Sequence, residues 1–300
     1  MIENFKTSEV DELFDVDSVK VPFAGASYKE INDCLVKSIK NNEGIKLVIC
    51  GLDYGKLCND KDVMRFDMGE YPVYLYNDNP FDDVEYIYNR DVLFEDCWKM
   101  YKNKEGGMPA GITSFDEYSR WMHKYVGKFG SNTVLKDYPQ FVEPEREYAL
   151  TVEEKRLIKE NLEQNIISTV KDNPQIEFYY FFTPYSAAWW GRIYEQGNLR
   201  KFIDIEKYAI EMLLGYENLH LFSFNMFTEI TTDINNYRDK THYGEWINSD
   251  ILKYMYQGVG LLTKDDYIQY LEEEYNFYKN FDYNSLFEQE DKEDLPAELS

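Results

Sequence analysis

The stretch VKVPFAGASYKEINDCLVKSIKNNEGIKLVICGLDYG, residues 19–55, decides the fold class. Val19 to Ala24 reads as a strand, and the turn Gly25-Ala26-Ser27 leads into a helix whose apolar positions Ile31, Leu35, Val36 and Ile39 keep helical spacing. Ser27 and Glu30 stand three residues apart, as a capping box requires. Ile45 to Cys50 is a continuous apolar run that ends in Gly51-Leu52-Asp53-Tyr54-Gly55. Strand, helix, strand at this spacing predicts a βαβ unit, hence a parallel sheet with a right-handed crossover.

Working outward, residues 1–17 predict a short helix with Val10, Leu13 and Phe14 on one side. Tyr71 to about Lys104 is aromatic and acidic, with short helices expected around Phe81–Tyr88 and Asp91–Tyr101. Residues 105–150 carry Gly106-Gly107 and little periodicity, so 71–150 reads as a helical and irregular insertion over the strand ends. Thr151 and Glu154 form a second capping box, opening a long helix that buries Ile158, Leu162, Ile166 and Val170 and stops at Asn173-Pro174. Ile176 to Phe182 predicts a third strand, ending at Thr183-Pro184-Tyr185-Ser186. A helix over 199–214 leads to a fourth strand, Leu219 to Phe224. A helix with Ile247, Ile251, Leu252 and Met255 inward and another over 263–280 complete the order. The fold class is therefore α/β, an open parallel sheet between helices in three layers. Residues 1–285 form one domain and 286–300 an acidic, frayed tail.

Composition narrows the partners. The 300 residues are 44% hydrophobic, enough for a substantial core, and the net charge is −24. Nucleic acid and anionic membrane surfaces are disfavoured, since polyphosphate binding needs clustered Lys and Arg. The 27 Tyr, 19 Phe and 5 Trp fit core packing and base bias, with aromatic platforms for sugar rings as a further reading. Cys34, Cys50, Cys58 and Cys97 form no Cys-x-x-Cys pair, so no zinc site and no cofactor is expected, and the thiols read as reduced and mostly buried. No apolar run approaches eighteen residues, so the chain as given is expected to be soluble.

Chemistry concentrates in Asp233 to Asn248, DINNYRDKTHYGEWIN. His242, one of three histidines, follows Asp239 by three residues just ahead of a helix. A carboxylate so placed can fold back on the imidazole Nδ1, fixing its tautomer and supporting the imidazolium of general-base catalysis. Helix capping by Asp239 with a surface His242 is the competing, purely structural reading. Sites in open α/β sheets form beyond the carboxyl ends of the strands, and four expected strand ends carry unusual residues: Gly25, Gly51-Leu52-Asp53, Pro184-Tyr185-Ser186 and Asp239/His242.

The order Gly25, Gly51-x-Asp53, Asp239-x-x-His242 resembles the second, third and fifth blocks of the SGNH, or GDSL-like, hydrolase and acyltransferase superfamily. The likeness is closer to its envelope branch, which includes D-alanyl-transfer and alginate O-acetylation proteins. Tyr-Pro-Val-Tyr-Leu-Tyr (71–76), Phe-Phe-Thr-Pro-Tyr-Ser (181–186) and Asn-Asn-Tyr-Arg-Asp-Lys-Thr-His-Tyr (235–243) resemble Gram-positive members of it, so the likeness spans nearly the whole chain. It implies a flavodoxin-like sheet and a serine esterase or O-acyltransferase acting on cell-envelope or exported polysaccharide. A carbohydrate or acylated small molecule is the implied substrate, a membrane-bound acyl donor the implied partner, and the full-length form is expected outside the cytoplasm. Asp239 and His242 match the catalytic dyad, and Gly25 the backbone donor to the oxyanion.

Two departures matter. No Gly-x-Ser block with a preceding strand exists in the chain. The resemblance puts that block immediately before Ile2-Glu3-Asn4-Phe5, so the nucleophile, the first strand and a membrane anchor are expected upstream of Met1, and the chain as given is expected to be inactive. Asp53 also stands where the family has Asn, and an ionised carboxylate repels an oxyanion; a protonated, an orienting and a structural role stay open. Among substitutes for the serine, Ser27 is explained by its capping, Ser186 could line the pocket, and Ser8 reads as a helix-surface residue. Tyr185, Trp189 and Trp190 could flank a sugar or an acyl chain, against core packing. His123 and His220 have no expected part in catalysis. A non-catalytic glycan-binding or scaffold component of a polysaccharide-modifying assembly is the alternative from another class.

Overall fold

The computed structural model describes residues 4–23, 25–65, 72–77, 79–98, 101–102, 129–136, 138 and 140–290. Three parallel strands, β1 (Leu47–Leu52), β2 (Glu177–Phe182) and β3 (Leu219–Ser223), pair in the order β1-β2-β3. Leu47 opposes Glu177 and Leu52 opposes Phe182, while Phe178 opposes Leu219. All three carboxyl ends therefore emerge on one side.

Alternation of side chains along β2 builds the two outer layers. Tyr179 and Phe181 point to one face, where they meet Phe14 of helix α1 (Thr7–Phe14) and Phe5 edge to face. Phe178, Tyr180 and Phe182 point to the other. There Tyr54, in the short helix α3 (Tyr54–Leu57), stacks on Phe182 at 5.3 Å and also meets Trp190. Phe178, Phe181 and Phe182 are all 0% exposed, which explains why β2 is a continuous aromatic run.

The βαβ unit expected over 19–55 does not form as read. The capping box of Ser27 and Glu30 opens helix α2 (Tyr28–Asn41), and the apolar run after it becomes β1. Residues 19–23, however, join no sheet. Val19 is 74% and Val21 55% exposed, and Lys20 turns inward to donate to the Phe5 carbonyl at 3.0 Å. Apolar alternation makes an extended segment suitable for pairing, but no described strand lies beside it, and Pro22 has no N–H to give. Among the described residues three strands are thus present where four were expected, and no described strand pairs with the outer edge of β1.

The helix opened by the Thr151–Glu154 capping box runs as α4 (Val152–Leu162), a π-helical turn (Glu163–Ile167) and α5 (Ser168–Asp172). Ile158, Leu162, Ile166 and Val170 are buried. A step of four residues overshoots one α-helical turn by about 40°, and the wider π turn takes up part of that drift so the stripe stays on one face. A polar row runs alongside: Asn161 Nδ2 donates to the Lys56 carbonyl at 2.9 Å, Asn165 Nδ2 to the Lys61 carbonyl at 2.8 Å, and Thr169 Oγ1 to Asn32 Oδ1 at 2.6 Å. The first two bonds hold the segment after β1, and the third holds α2.

Helix α6 (Ala187–Glu195), not expected from the sequence, is followed by α7 (Leu199–Leu213), α8 (Glu245–Gln257) and α9 (Tyr267–Asn280). Ile247, Ile251, Leu252 and Met255 of α8 are buried as read. In the expected insertion, the helix around 81–88 reduces to Val84–Ile87 and that around 91–101 is a π-helical segment, Asp91–Cys97. Residues 103–128 of that insertion, and 291–300 of the expected tail, lie outside the described residues, whereas Tyr283–Glu288 forms a 3-10 turn. Cys34, Cys50 and Cys58 are partly buried and Cys97 is exposed, so the thiols are less enclosed than expected. Among the described residues no helix is long and apolar enough to cross a membrane.

Trp190 is 0% exposed and stacks on Tyr278 at 4.6 Å. Trp190→Ala should lower the unfolding free energy by about 3–5 kcal/mol through lost burial and the cavity left behind, read as a shift of the urea midpoint.

Candidate active site

The segment after β3 folds into a tight loop before it reaches α8. Tyr237 and Tyr243 form an antiparallel bridge, Arg238 N–H donates to the His242 carbonyl at 2.8 Å, and Gly244 N–H to the Asn236 carbonyl at 2.8 Å. Inside the loop one carboxylate has two tasks. Asp239 Oδ1 accepts the backbone N–H of Thr241 at 2.9 Å and of His242 at 2.8 Å, an Asx-type turn. Asp239 Oδ2 lies 2.7 Å from His242 Nδ1. With Nδ1–H given to the carboxylate, the imidazole lone pair sits on Nε2, the tautomer that a general base needs.

Partial burial opposes ionisation of Asp239, but the hydrogen bond and charge of His242 and the two backbone N–H groups outweigh it, holding the carboxyl well below its usual range. The side chains of His242 and Asp239 keep 42% and 47% exposure, so the pair remains reachable from solvent.

Two side-chain bonds dock this loop on the end of β2. Tyr237 Oη donates to the Pro184 carbonyl at 2.7 Å, and Ser186 Oγ donates to the Lys240 carbonyl at 2.8 Å. Ser186 Oγ also accepts the Trp189 N–H at 3.3 Å, capping α6. Its hydroxyl is thus occupied and 0% exposed. Tyr185 is buried, and its hydroxyl is pushed to high pKa by burial and by the facing Asp53 carboxylate. Tyr243, next to His242, is buried beside Tyr185, and its hydroxyl has no hydrogen-bond partner among the described residues.

At the end of β1, Asp53 Oδ1 accepts the Gly55 N–H at 2.9 Å and so caps α3. Tyr28 Oη accepts the Asp53 N–H at 2.8 Å and donates to the Asp53 carbonyl at 3.2 Å. Asp53 is therefore engaged as a cap and as a partner of Tyr185. Gly25 sits in the left-handed region, φ +69°, where a Cβ would stand 3.1 Å from Arg65 Nη1. The neighbouring Ala26 carbonyl is bonded by Lys56 Nζ. Contacts thus run from the 25–28 turn through Lys56 and Asp53 to Tyr185, Tyr243 and the Asp239–His242 pair.

Other candidates fall elsewhere. Ser27 Oγ is bound to Glu30 Oε2 at 2.9 Å. Ser8 is exposed on α1. His220 Nε2 meets Glu177 Oε2 at 2.6 Å near the amino ends of β2 and β3, the side opposite to the site. His123 lies outside the described residues. Trp190 belongs to the core, and Trp189 is wedged among Tyr54, Tyr185, Trp190 and Phe202. One part of Trp189 nonetheless reaches an open groove of about 410 Å³, which it lines with Arg192, Ile193, Gln196, Asp239, Lys240 and Thr241. Arg192 and Gln196 were not singled out from the sequence, because only α6 brings them beside the 239–241 turn. Among the described residues no group of three His, Cys, Asp or Glu side chains could hold a metal ion.

Because the folded-state pKa of Asp239 is depressed, its stabilisation is present above the ordinary value near 3.8 and is lost as pH falls below it. Asp239→Ala should therefore lower stability by about 1 kcal/mol at neutral pH, a figure discounted for solvent exposure. In urea titrations the gap between variant and wild type should close in acid.

No protein-family model, no curated protein and no solved structure matches this chain.

Proposed function

We propose that this chain is the base-bearing part of an SGNH-type serine esterase or O-acyltransferase acting on cell-envelope or exported polysaccharide. The observation that carries the reading is the Asp239 Oδ2 to His242 Nδ1 contact of 2.7 Å beyond the strand ends. In the reaction a serine Oγ attacks the acyl carbonyl while His242 Nε2 takes its proton, and Asp239 stabilises the imidazolium without becoming protonated. His242 then returns the proton to the leaving alkoxide. Water or a sugar hydroxyl discharges the acyl-enzyme by the same route, giving hydrolysis or transfer. Gly25 N–H helps to hold the oxyanion.

The serine belongs, on this reading, to a further parallel strand carrying Gly-x-Ser at the outer edge of β1. Two features support that position. No described strand pairs there, and Leu47, Val48, Ile49 and Cys50 keep partial exposure while most of β2 and β3 is buried. An uncovered apolar edge is a template for another strand. An envelope location and a membrane-bound acyl donor belong to the same proposal.

The test compares the 300-residue chain with a form extended at its N-terminus by a strand carrying Gly-x-Ser. The extended form should react with a fluorophosphonate probe and hydrolyse p-nitrophenyl acetate, and His242→Ala should reduce that rate by about 10³-fold or more. The 300-residue chain should stay unlabelled. Stoichiometric labelling of the shorter chain would overturn the nucleophile assignment, and an inert extended form would overturn the reaction.

A second reading, a non-catalytic glycan-binding or scaffold component, is favoured by the groove of Trp189, Arg192 and Gln196 beside the pair. Glycan binding that survives His242→Ala, together with an inert extended form, would select it.

A further inference from the structure

Two carboxyl groups unused by this chemistry lie behind the site. Glu206 on α7 and Glu274 on α9 are both 0% exposed, on helices that pack together. Their donors can be enumerated. Tyr54 Oη donates to Glu206 Oε2 at 2.8 Å and Ser223 Oγ to Glu206 Oε1 at 3.1 Å. Asn225 Nδ2 donates to Glu274 Oε1 at 2.8 Å and reaches Glu206 Oε2 at 3.3 Å. Among the described residues Glu274 Oε2 has no donor.

No cation compensates them: among the described residues neither carboxylate has an ion-pair partner. The titratable groups that face the pair are Tyr54 from α3 and Tyr270 and Tyr278 from α9 itself. Burial, with the nearby carboxylates, pushes all three phenols upward, so they stay neutral. Two ionised carboxylates in such a place would be uncompensated buried charges, which proteins avoid by binding a proton. Both carboxyl groups converge on Asn225 Nδ2, so a proton on Glu274 would turn its orphan acceptor into a donor beside Glu206.

We propose that Glu206 and Glu274 share a proton carried on Glu274, and that this proton clamps α9 and Tyr54 to the strand ends, releasing them in alkaline solution. The clamp reaches the site through one residue. Tyr54, bonded to Glu206, directly follows Asp53, which faces Tyr185. On the other side Tyr278 Oη donates to the Asn225 carbonyl at 2.7 Å, tying α9 to the end of β3. The inference is independent of the catalytic reading.

Burial lifts Glu206 to about 7, and burial with the neighbouring Glu206 carboxyl raises Glu274 well above the ordinary glutamate range. Groups raised in the folded state stabilise fully below the ordinary glutamate range, and that stabilisation disappears as pH rises through the raised values. Urea unfolding of wild type and Glu274→Gln is followed from pH 7 to 9. The unfolding constant of wild type should rise with pH more steeply than that of the variant by about tenfold per unit, the signature of one proton. In Glu274→Gln the amide N–H donates in place of the acid and does not titrate. Parallel slopes would overturn the proposal. Infrared spectra of the folded chain in D2O at pH 8 give a second reading that needs no unfolding. A band of un-ionised carboxylic acid should be present in wild type, retained in the surface variant Glu273→Gln and lost in Glu274→Gln. Its absence from wild type would overturn the proposal even if Glu274→Gln fails to fold.

Discussion

Double-sided burial of β2 is the constraint on which the rest of the molecule depends. The strand is hydrogen-bonded on both edges and covered on both faces, so every neighbour must supply apolar surface to it. In a chain of net charge −24 that requirement sorts the residues strongly. Most acidic side chains go to the outside of the helices, Glu206 and Glu274 being exceptions, and aromatic ones fill the space between helices and sheet. The same constraint aims the ends of all three strands one way and obliges the Thr183–Ser186 turn to leave the core beside the 237–243 loop.

The site inherits its order from that arrangement. Asp239 organises the peptide groups of its own turn with one oxygen and the imidazole with the other. Backbone shape and ring orientation are therefore set by a single side chain. The residues beneath are immobilised in turn: Ser186 by a cap and a clasp, Tyr54 by Glu206, Asp53 by the helix it starts. An imidazole supported in this way keeps its angle without help from a ligand.

What could be read in advance was local. Ser27 with Glu30 and Thr151 with Glu154 announce helix starts because the bonds concerned span three residues. Asp239 and His242 are equally close in sequence, and their spacing already implies the contact. The 176–182 run was legible because only a strand buried on both faces tolerates so many consecutive aromatics. Val19–Phe23 was misread for the complementary reason: alternation describes a segment and is silent about its neighbours. Helix α6 carried a signal in Ser186 ahead of Ala187-Ala188, which the proline and aromatic residues before it obscured. The Glu206–Glu274 pair was illegible. Each glutamate sits in an amphipathic helix where acidic residues are usually solvated, and only tertiary packing brings the two together.

The docking of the 237–243 loop also has a kinetic meaning. The aspartate–histidine contact closes over three residues, whereas the bonds that give it an address, Tyr237 to Pro184 and Ser186 to Lys240, span 53 and 54. Closing such loops is entropically slower than forming a turn, so the pair can exist in a chain that has not yet assembled its strand ends. During folding the pair is made first and delivered afterwards. Under mild destabilisation the order reverses, and delivery fails while the pair itself persists.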